Sequence, residues 1–178
     1  MQRRTLLAVL ITVGLGWWLG QSTVAQDQAA TNPDTMFVHK ASQAGLAEVQ
    51  MGKMAMERAA SAEVKAFGQR MVDDHTQANQ ELMTIAQAKH IPIAHTLDQK
   101  HQAVADKLAT LHGTEFDHAY MAGQLADHEE AVSLFTREAK EGKDAELKTF
   151  AAKTLPALQE HLQLARNMTV KQKKERAQ

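Results

Sequence analysis

Four ionisable residues interrupt helical stripes that are otherwise mostly apolar: Glu48, His75, His128 and His161. His75 sits within Val64, Phe67, Met71, Ala78, Leu82 and Ile85, whose steps of three and four mark a helix. Glu48 falls within Phe37, Ala41, Ala44, Met51 and Ala55. His128 falls within Met121, Leu125, Val132, Phe135 and Ala139, and His161 within Leu147, Ala151, Thr154, Leu158, Ala165 and Met168. Burying an unbonded imidazole or an unpaired carboxylate costs several kcal/mol. Four such residues on four stripes are easier to accommodate if they meet. Three imidazoles and a carboxylate then form a donor set for zinc, copper, nickel or iron. Asp74, Asp127 and Tyr120 lie nearby in the chain and can orient the ring N–H groups. The same residues also permit a plainer arrangement. In it each histidine is half-buried at a helix seam and bonds an Asp, a Gln or a carbonyl, with Glu48 paired to one of them.

Helix rise bears on the convergence. Counted from the break near Ala60, Glu48 lies 12 residues back and His75 lies 15 on, a mismatch of roughly 5 Å at 1.5 Å per residue. Counted from Gly142, His128 lies 14 back and His161 lies 19 on, a mismatch of roughly 7 Å. Other candidate chemistry is weaker. Met51, Met54 and Met56 offer thioethers to copper, although methionine in a helical stripe is ordinary core filler. His90, His95 and His101 flank a loop where metal binding would be adventitious. No nucleophile sits in a strand–turn context, and no Gly-rich phosphate loop is present. The residues specify no reaction and no protein partner.

The elements that position these residues are helices. Aromatics make up only 4% of the chain while Ala, Leu, Gln and Met are plentiful, a composition that favours helix over strand. A first helix is expected from near Asp34, capped by Asn32 or Asp34 and broken at Ala60–Ser61. Ser61 caps a second, which ends before Pro92. Thr96 and Gln99 have capping-box spacing and open a short helix to His112, with Val104, Leu108 and Leu111 inward and Gly113 as its C′ residue. Thr114 caps the next long helix, which runs to about Lys140, and Asp144 caps the last, where Pro156 predicts a kink. The expected fold is all-α: a ferritin-like up-down four-helix bundle with an extra short crossover helix between the second and third long helices.

Residues 1–25 have the pattern of a secretory signal peptide. Arg3 and Arg4 precede a 14-residue apolar run, Leu6 to Leu19, and Thr23-Val24-Ala25 offers small residues for cleavage. The run is shorter than the roughly 20 residues of a membrane span, so no span is expected after cleavage. No cysteine follows it, or occurs anywhere, which excludes lipoprotein processing and thiolate metal sites. A periplasmic or secreted location follows. Residues 26–33 form a disordered lead-in, 34–170 the helical domain and 171–178 a basic tail. Without Arg3 and Arg4 the chain carries 18 basic and 21 acidic residues, net −3, which is not the footprint of a nucleic-acid binder.

Several segments together resemble a bacterial family. MVDDH at 71–75, FDHAY at 116–120 followed by His128, LPALQEHL at 155–162, and ASQAGLAEVQMGKMA at 41–55 are similar to the domain of unknown function four-one-four-two. Proteins of that family are often labelled outer-membrane or secreted. The resemblance covers roughly residues 35–168 and implies a ferritin-like helical bundle, export, and no established activity. The motif positions it carries over are Glu48, His75, Asp117, Tyr120, His128 and His161. Di-iron ferritin-like proteins use Glu-x-x-His on two helices. Here Val72 and Leu158 stand three residues before His75 and His161, which argues against a di-iron oxidase. The outer-membrane label has no counterpart in barrel-forming strands.

Three functional classes remain open on sequence. One is an exported helical bundle that binds a single transition metal, such as zinc, copper or iron, through Glu48, His75, His128 and His161. Another is a structural or stress-related interaction protein without metal. The third is a metal-dependent redox enzyme.

Overall fold

The computed structural model describes residues 32–177. The leader expected over residues 1–25 lies outside them. Among the described residues all regular structure is helical, with one isolated bridge between Ala59 and Gly113. The helices are α1 (Pro33–Arg58), α2 (Ala62–Ala88), α3 (Gln99–Ala109), α4 (Gly113–Glu141) and α5 (Ala145–Arg176). Asn32 caps α1 by accepting from the Asp34 N–H, with Pro33 in the first turn, where its missing N–H costs nothing. Ser61 caps α2 through the Glu63 N–H, as expected. Asp144 caps α5 through the N–H groups of Glu146 and Leu147.

α1 packs on α2 and α4 on α5; α1 also faces α4, α2 touches α5, and α3 lies across α1 and α4. Two carboxylates lock these pairs to each other. Asp117 of α4 accepts from Ala60 N and Ser61 N, at 3.0 and 2.9 Å, and so holds the α1–α2 turn. Asp34 of α1 accepts from Lys143 N and Asp144 N, both at 2.8 Å, and so holds the α4–α5 turn. Each hairpin is thus closed by a buried Asp from the other. The start of α4 lies at the end of α1, so α1 and α4 run antiparallel and α2 and α4 run the same way. The α3 crossover makes that return.

The apolar core forms two clusters. One gathers Met51, Phe67, Met71, Phe116, Tyr120 and Met121. The other gathers Phe37, Leu82, Phe135, Leu147, Phe150 and Leu158. Each of α1, α2, α4 and α5 passes from one cluster to the other. Glu48, His75, His128 and His161 sit at those crossings.

Several local expectations are corrected. α3 is capped by Asp98, which accepts from His101 N, and not by Thr96. α3 ends at Ala109 and not at His112. Gly113 has a left-handed φ of 62° but opens α4, with His112 in place of Thr114 as its N-cap residue. The buried face of α4 includes Asp117, Tyr120, Gln124 and Asp127, while Leu125 and Val132 are only half-buried. Met121, His128 and Phe135 of the expected stripe are buried; apolarity alone misses the adjoining Asp117, Gln124 and Asp127, which are inside because they bond other elements. α5 includes Pro156, which faces solvent, and continues through the segment expected as a basic tail to Arg176.

Two stability predictions follow from this packing. Leu158 is 2% exposed, and Leu158→Ala is expected to cost about 2–5 kcal/mol in urea unfolding; a loss under about 0.5 kcal/mol would mean the side chain is not in the core. Asp117→Ala orphans two backbone N–H groups at the α1–α2 turn. It is expected to cost about 1–3 kcal/mol, and hydrogen exchange should rise first at Ala60 and Ser61. Unchanged protection at those amides would contradict the lock.

Candidate metal centre

His75 on α2, His128 on α4 and His161 on α5 converge. One ligand nitrogen of each lies within 4.8 Å of those of the other two. The ring centroids are 5.7 Å (His75–His128), 5.6 Å (His75–His161) and 5.3 Å (His128–His161) apart. His128 and His161 are each 1% exposed and His75 is 9% exposed. Bonds of 2.0–2.1 Å to a tetrahedral ion would place the nitrogens about 3.4 Å apart. A spacing at the 4.8 Å limit would therefore have to close by about 1.4 Å on an ion.

The outer partners decide which nitrogen each ring offers. His161 Nε2 lies 2.8 Å from Asp74 Oδ2, a carboxylate that can only accept, so Nε2 carries the proton and Nδ1 is free. His128 Nδ1 lies 3.0 Å from the Gln124 carbonyl, so Nδ1 donates and Nε2 is free. His75 Nε2, His128 Nε2 and His161 Nδ1 are all buried without a hydrogen-bond partner. Both arrangements considered from sequence are therefore present in part: two rings bond an Asp and a carbonyl with one nitrogen and keep the other unpaired.

Glu48 is beside this group. Its Oε2 accepts from Gln124 Nε2 at 2.7 Å, and its Oε1 lies 3.8 Å from His128 Nδ1, the protonated side of that ring. The three histidines form the converging donor group, with Glu48 as its neighbour. Of the expected orienting residues, Asp74 bonds His161 and is itself 3.3 Å from Arg70 Nε, while Arg70 pairs with Glu160 at 2.7 Å. Asp127 turns to Lys100 at 3.2 Å. The buried Tyr120 hydroxyl has no partner. Gln124, which links Glu48 to the His128 helix, went unnoticed in the sequence; the available signal was a polar residue one turn before His128.

One side of the cluster is closed by Phe67, whose ring stands edge-on to His128 and His161 at 6.4 and 6.5 Å. Toward the other apolar cluster lies a cavity of about 30 Å³ bordered by Glu48, His75 and His128 and otherwise mostly by apolar side chains. Burial, reinforced by His128 and His161, holds His75 well below the usual histidine range. Burial also pushes His161 down to about 4, against the opposing pull of the Asp74 hydrogen bond. Both rings are therefore neutral near pH 7, the form that binds metal. Burial raises the Glu48 carboxyl, with His128 acting against it.

The other candidates do not assemble. Met51 is buried, Met54 half-buried and Met56 exposed, because positions 51 and 54 share a helical face that 56 does not. His90 and His95 are exposed, and His101 is buried against Asp98 at 2.9 Å.

The comparisons place the fold among secreted and copper-bound helical proteins. A DUF305 protein of Streptomyces coelicolor, labelled as secreted, is similar with a TM-score of 0.68 at 15% identity, over 81% of this chain and 96% of that one. CopM in its Cu(I)-bound form gives a TM-score of 0.63 at 17% identity, over 75% of this chain and 93% of that one. CopM in its Cu(II)-bound form gives 0.66 at 18% identity, over 78% and 96%. At these identities the likeness is one of fold. The sequence itself matches the family described as Domain of unknown function (DUF4142) over residues 19–168, and the chain belongs to that family. No curated protein matches it.

A pH prediction follows from His161. Its folded value of about 4 lies below the ordinary 6.5. The unfolded chain binds more protons in that window, so this contribution is complete above about pH 6.5 and is lost as pH falls toward 4. Glu48 and Glu138, both raised chiefly by burial, act in the opposite sense. The comparison with His161→Gln isolates the histidine. Between pH 7 and 4.5 the wild type is expected to lose roughly 2 kcal/mol more than the variant, the slope approaching about 1.4 kcal/mol per pH unit only between the two values. Parallel stability–pH curves from urea unfolding would show that the ring is not buried neutral.

Proposed function

We propose that this protein is an exported helical bundle of ferritin-like arrangement that binds one transition-metal ion between α2, α4 and α5. His75 Nε2, His128 Nε2 and His161 Nδ1 are the donors. The observation that carries this reading is the trio of buried imidazole nitrogens without partners, each on a ring whose neighbours are the other two. Unbonded buried polar atoms are costly, and a cation at their meeting point removes all three at once. Asp74 orients His161 and raises its basicity, as outer carboxylates do for metal-bound histidines. Glu48, beside His128, supplies negative charge to the same interior.

Three imidazole donors suit zinc, copper or iron. Copper is the first metal to test, because it heads the affinity order for nitrogen ligands. The similarity to CopM, named in Cu(I)- and Cu(II)-bound forms, supports the same choice. Export is supported by the pattern of residues 1–25 and by the label of the DUF305 relative. No helix among the described residues is long and apolar enough to cross a membrane.

The test is metal content and melting of untagged protein. One ion per chain is expected, and His75→Ala and His128→Ala should each abolish binding, the double variant being no worse. At a hundred times Kd, added metal should stabilise the wild type by about 2.7 kcal/mol and leave the variants unchanged. If stoichiometric binding is absent and the melting temperature does not respond to copper, zinc or iron, the reading fails and a structural role takes its place.

A further inference from the structure

The small cavity beside the histidines has a second neighbour. A groove of about 560 Å³ lies on the surface between α1, α2 and the segment 93–97. Groove and cavity share two lining residues, Asn79 and Leu82. Asn79 lies flat on Gly45, where a Cβ would overlap its side-chain amide. The Asn79 amide thus packs in the space that a side chain at position 45 would take. One layer of side chain therefore separates solvent from a cavity that touches Glu48, His75 and His128.

The cavity's size limits what it holds. A water needs about 10–15 Å³ of such volume, so about 30 Å³ accommodates two waters or a linear molecule of two or three heavy atoms. Its apolar walls include Ala41, Ala78, Leu82, Phe135 and Leu158, and its polar lining includes Glu48, His75, His128, Asp127 and Thr154. Three protein donors also leave a fourth position on a tetrahedral ion, the arrangement of sites where an outside ligand binds the metal. We infer that the metal takes a small exogenous ligand, a donor of up to three heavy atoms, in this cavity, and that the ligand enters from the α1–α2 groove past Asn79. This rests on the metal reading above and adds to it the class of ligand and the route.

The test uses the full chain loaded with Cu(II), its copper content measured first, and sodium azide as the probe. Azide is expected to give a saturable azide-to-copper absorption band at one azide per copper. Imidazole, a five-membered ring, is expected to leave the copper spectrum unchanged. In stopped flow, Asn79→Ala is expected to speed azide association about tenfold, equivalent to roughly 1.4 kcal/mol off the opening barrier. Stoichiometric copper with no azide band would overturn the ligand site while leaving the metal reading intact. Imidazole binding as readily as azide would show an open site and overturn the enclosure. An unchanged rate in a folded, copper-loaded Asn79→Ala protein would overturn the route. Failure to take up copper, zinc or iron would instead overturn the metal reading.

Discussion

The burial of a polar layer between two apolar clusters is the constraint on which the rest of this structure depends. His75, His128, His161 and Glu48 are each under a tenth exposed. A buried, unpaired donor or acceptor costs about 1–3 kcal/mol, and three imidazole nitrogens here have no partner. The clusters on either side offset that cost. Phe67, Met71 and Tyr120 pack on one side; Leu82, Phe135 and Leu158 pack on the other. The arrangement spends packing energy to hold nitrogens in a dry place, where burial disfavours the protonated forms of His75 and His161.

Such a layer works only if four helices keep a common register. A slip of one turn moves a side chain by 5.4 Å, about the spacing of the rings themselves. The reciprocal carboxylates set that register. Asp117 fixes the α1–α2 turn against α4, and Asp34 fixes the α4–α5 turn against α1. Lys89 at the end of α2 reaches Asp144 at 2.7 Å, which holds α2 to the start of α5. The two ends of the assembly are thereby pinned while the middle carries the unpaired groups.

Much of this was legible in the sequence and some was not, for physical reasons. The stripes on α1, α2 and α5 were legible because helical periodicity is local. The convergence of three histidines was legible because each broke such a stripe. Counting residues from Gly142 gave a mismatch of roughly 7 Å between His128 and His161, yet their rings are 5.3 Å apart. The count treats both helices as straight, starts them at one level and ignores the reach of the side chains. On α4 the stripe found Met121, His128 and Phe135, but the buried polar row beside it was not legible. Gln124 is inside because Glu48, 76 residues away, accepts its amide, and Asp117 is inside because Ala60 and Ser61 need an acceptor. Partners that distant leave no periodic trace. The same holds for Asp34, which reads as a helix cap in sequence and serves as the lock of a remote turn.

Charge balance bears on how many ions the proposed site would hold. The positions that supply carboxylates in paired iron sites are Val72 and Leu158 here, so the converging donors are imidazoles alone. Two carboxylates stand close enough to matter: Glu48 beside His128, and Asp74 bonded to His161. One divalent ion would meet two negative charges and leave the interior near neutrality. A pair of divalent ions would leave an excess of positive charge in a region of low dielectric, at a cost of several kcal/mol per uncompensated charge. The cation would also reverse the burial effect on Glu48, favouring its ionised form where burial alone favours the neutral one. Asp74 differs from Glu48 in that its side chain is 40% exposed and is tied to Arg70 and Glu160 at the surface. One charge partner is thus sealed inside and the other is anchored from outside. An ion held between them would be oriented by the outer carboxylate and balanced by the inner one.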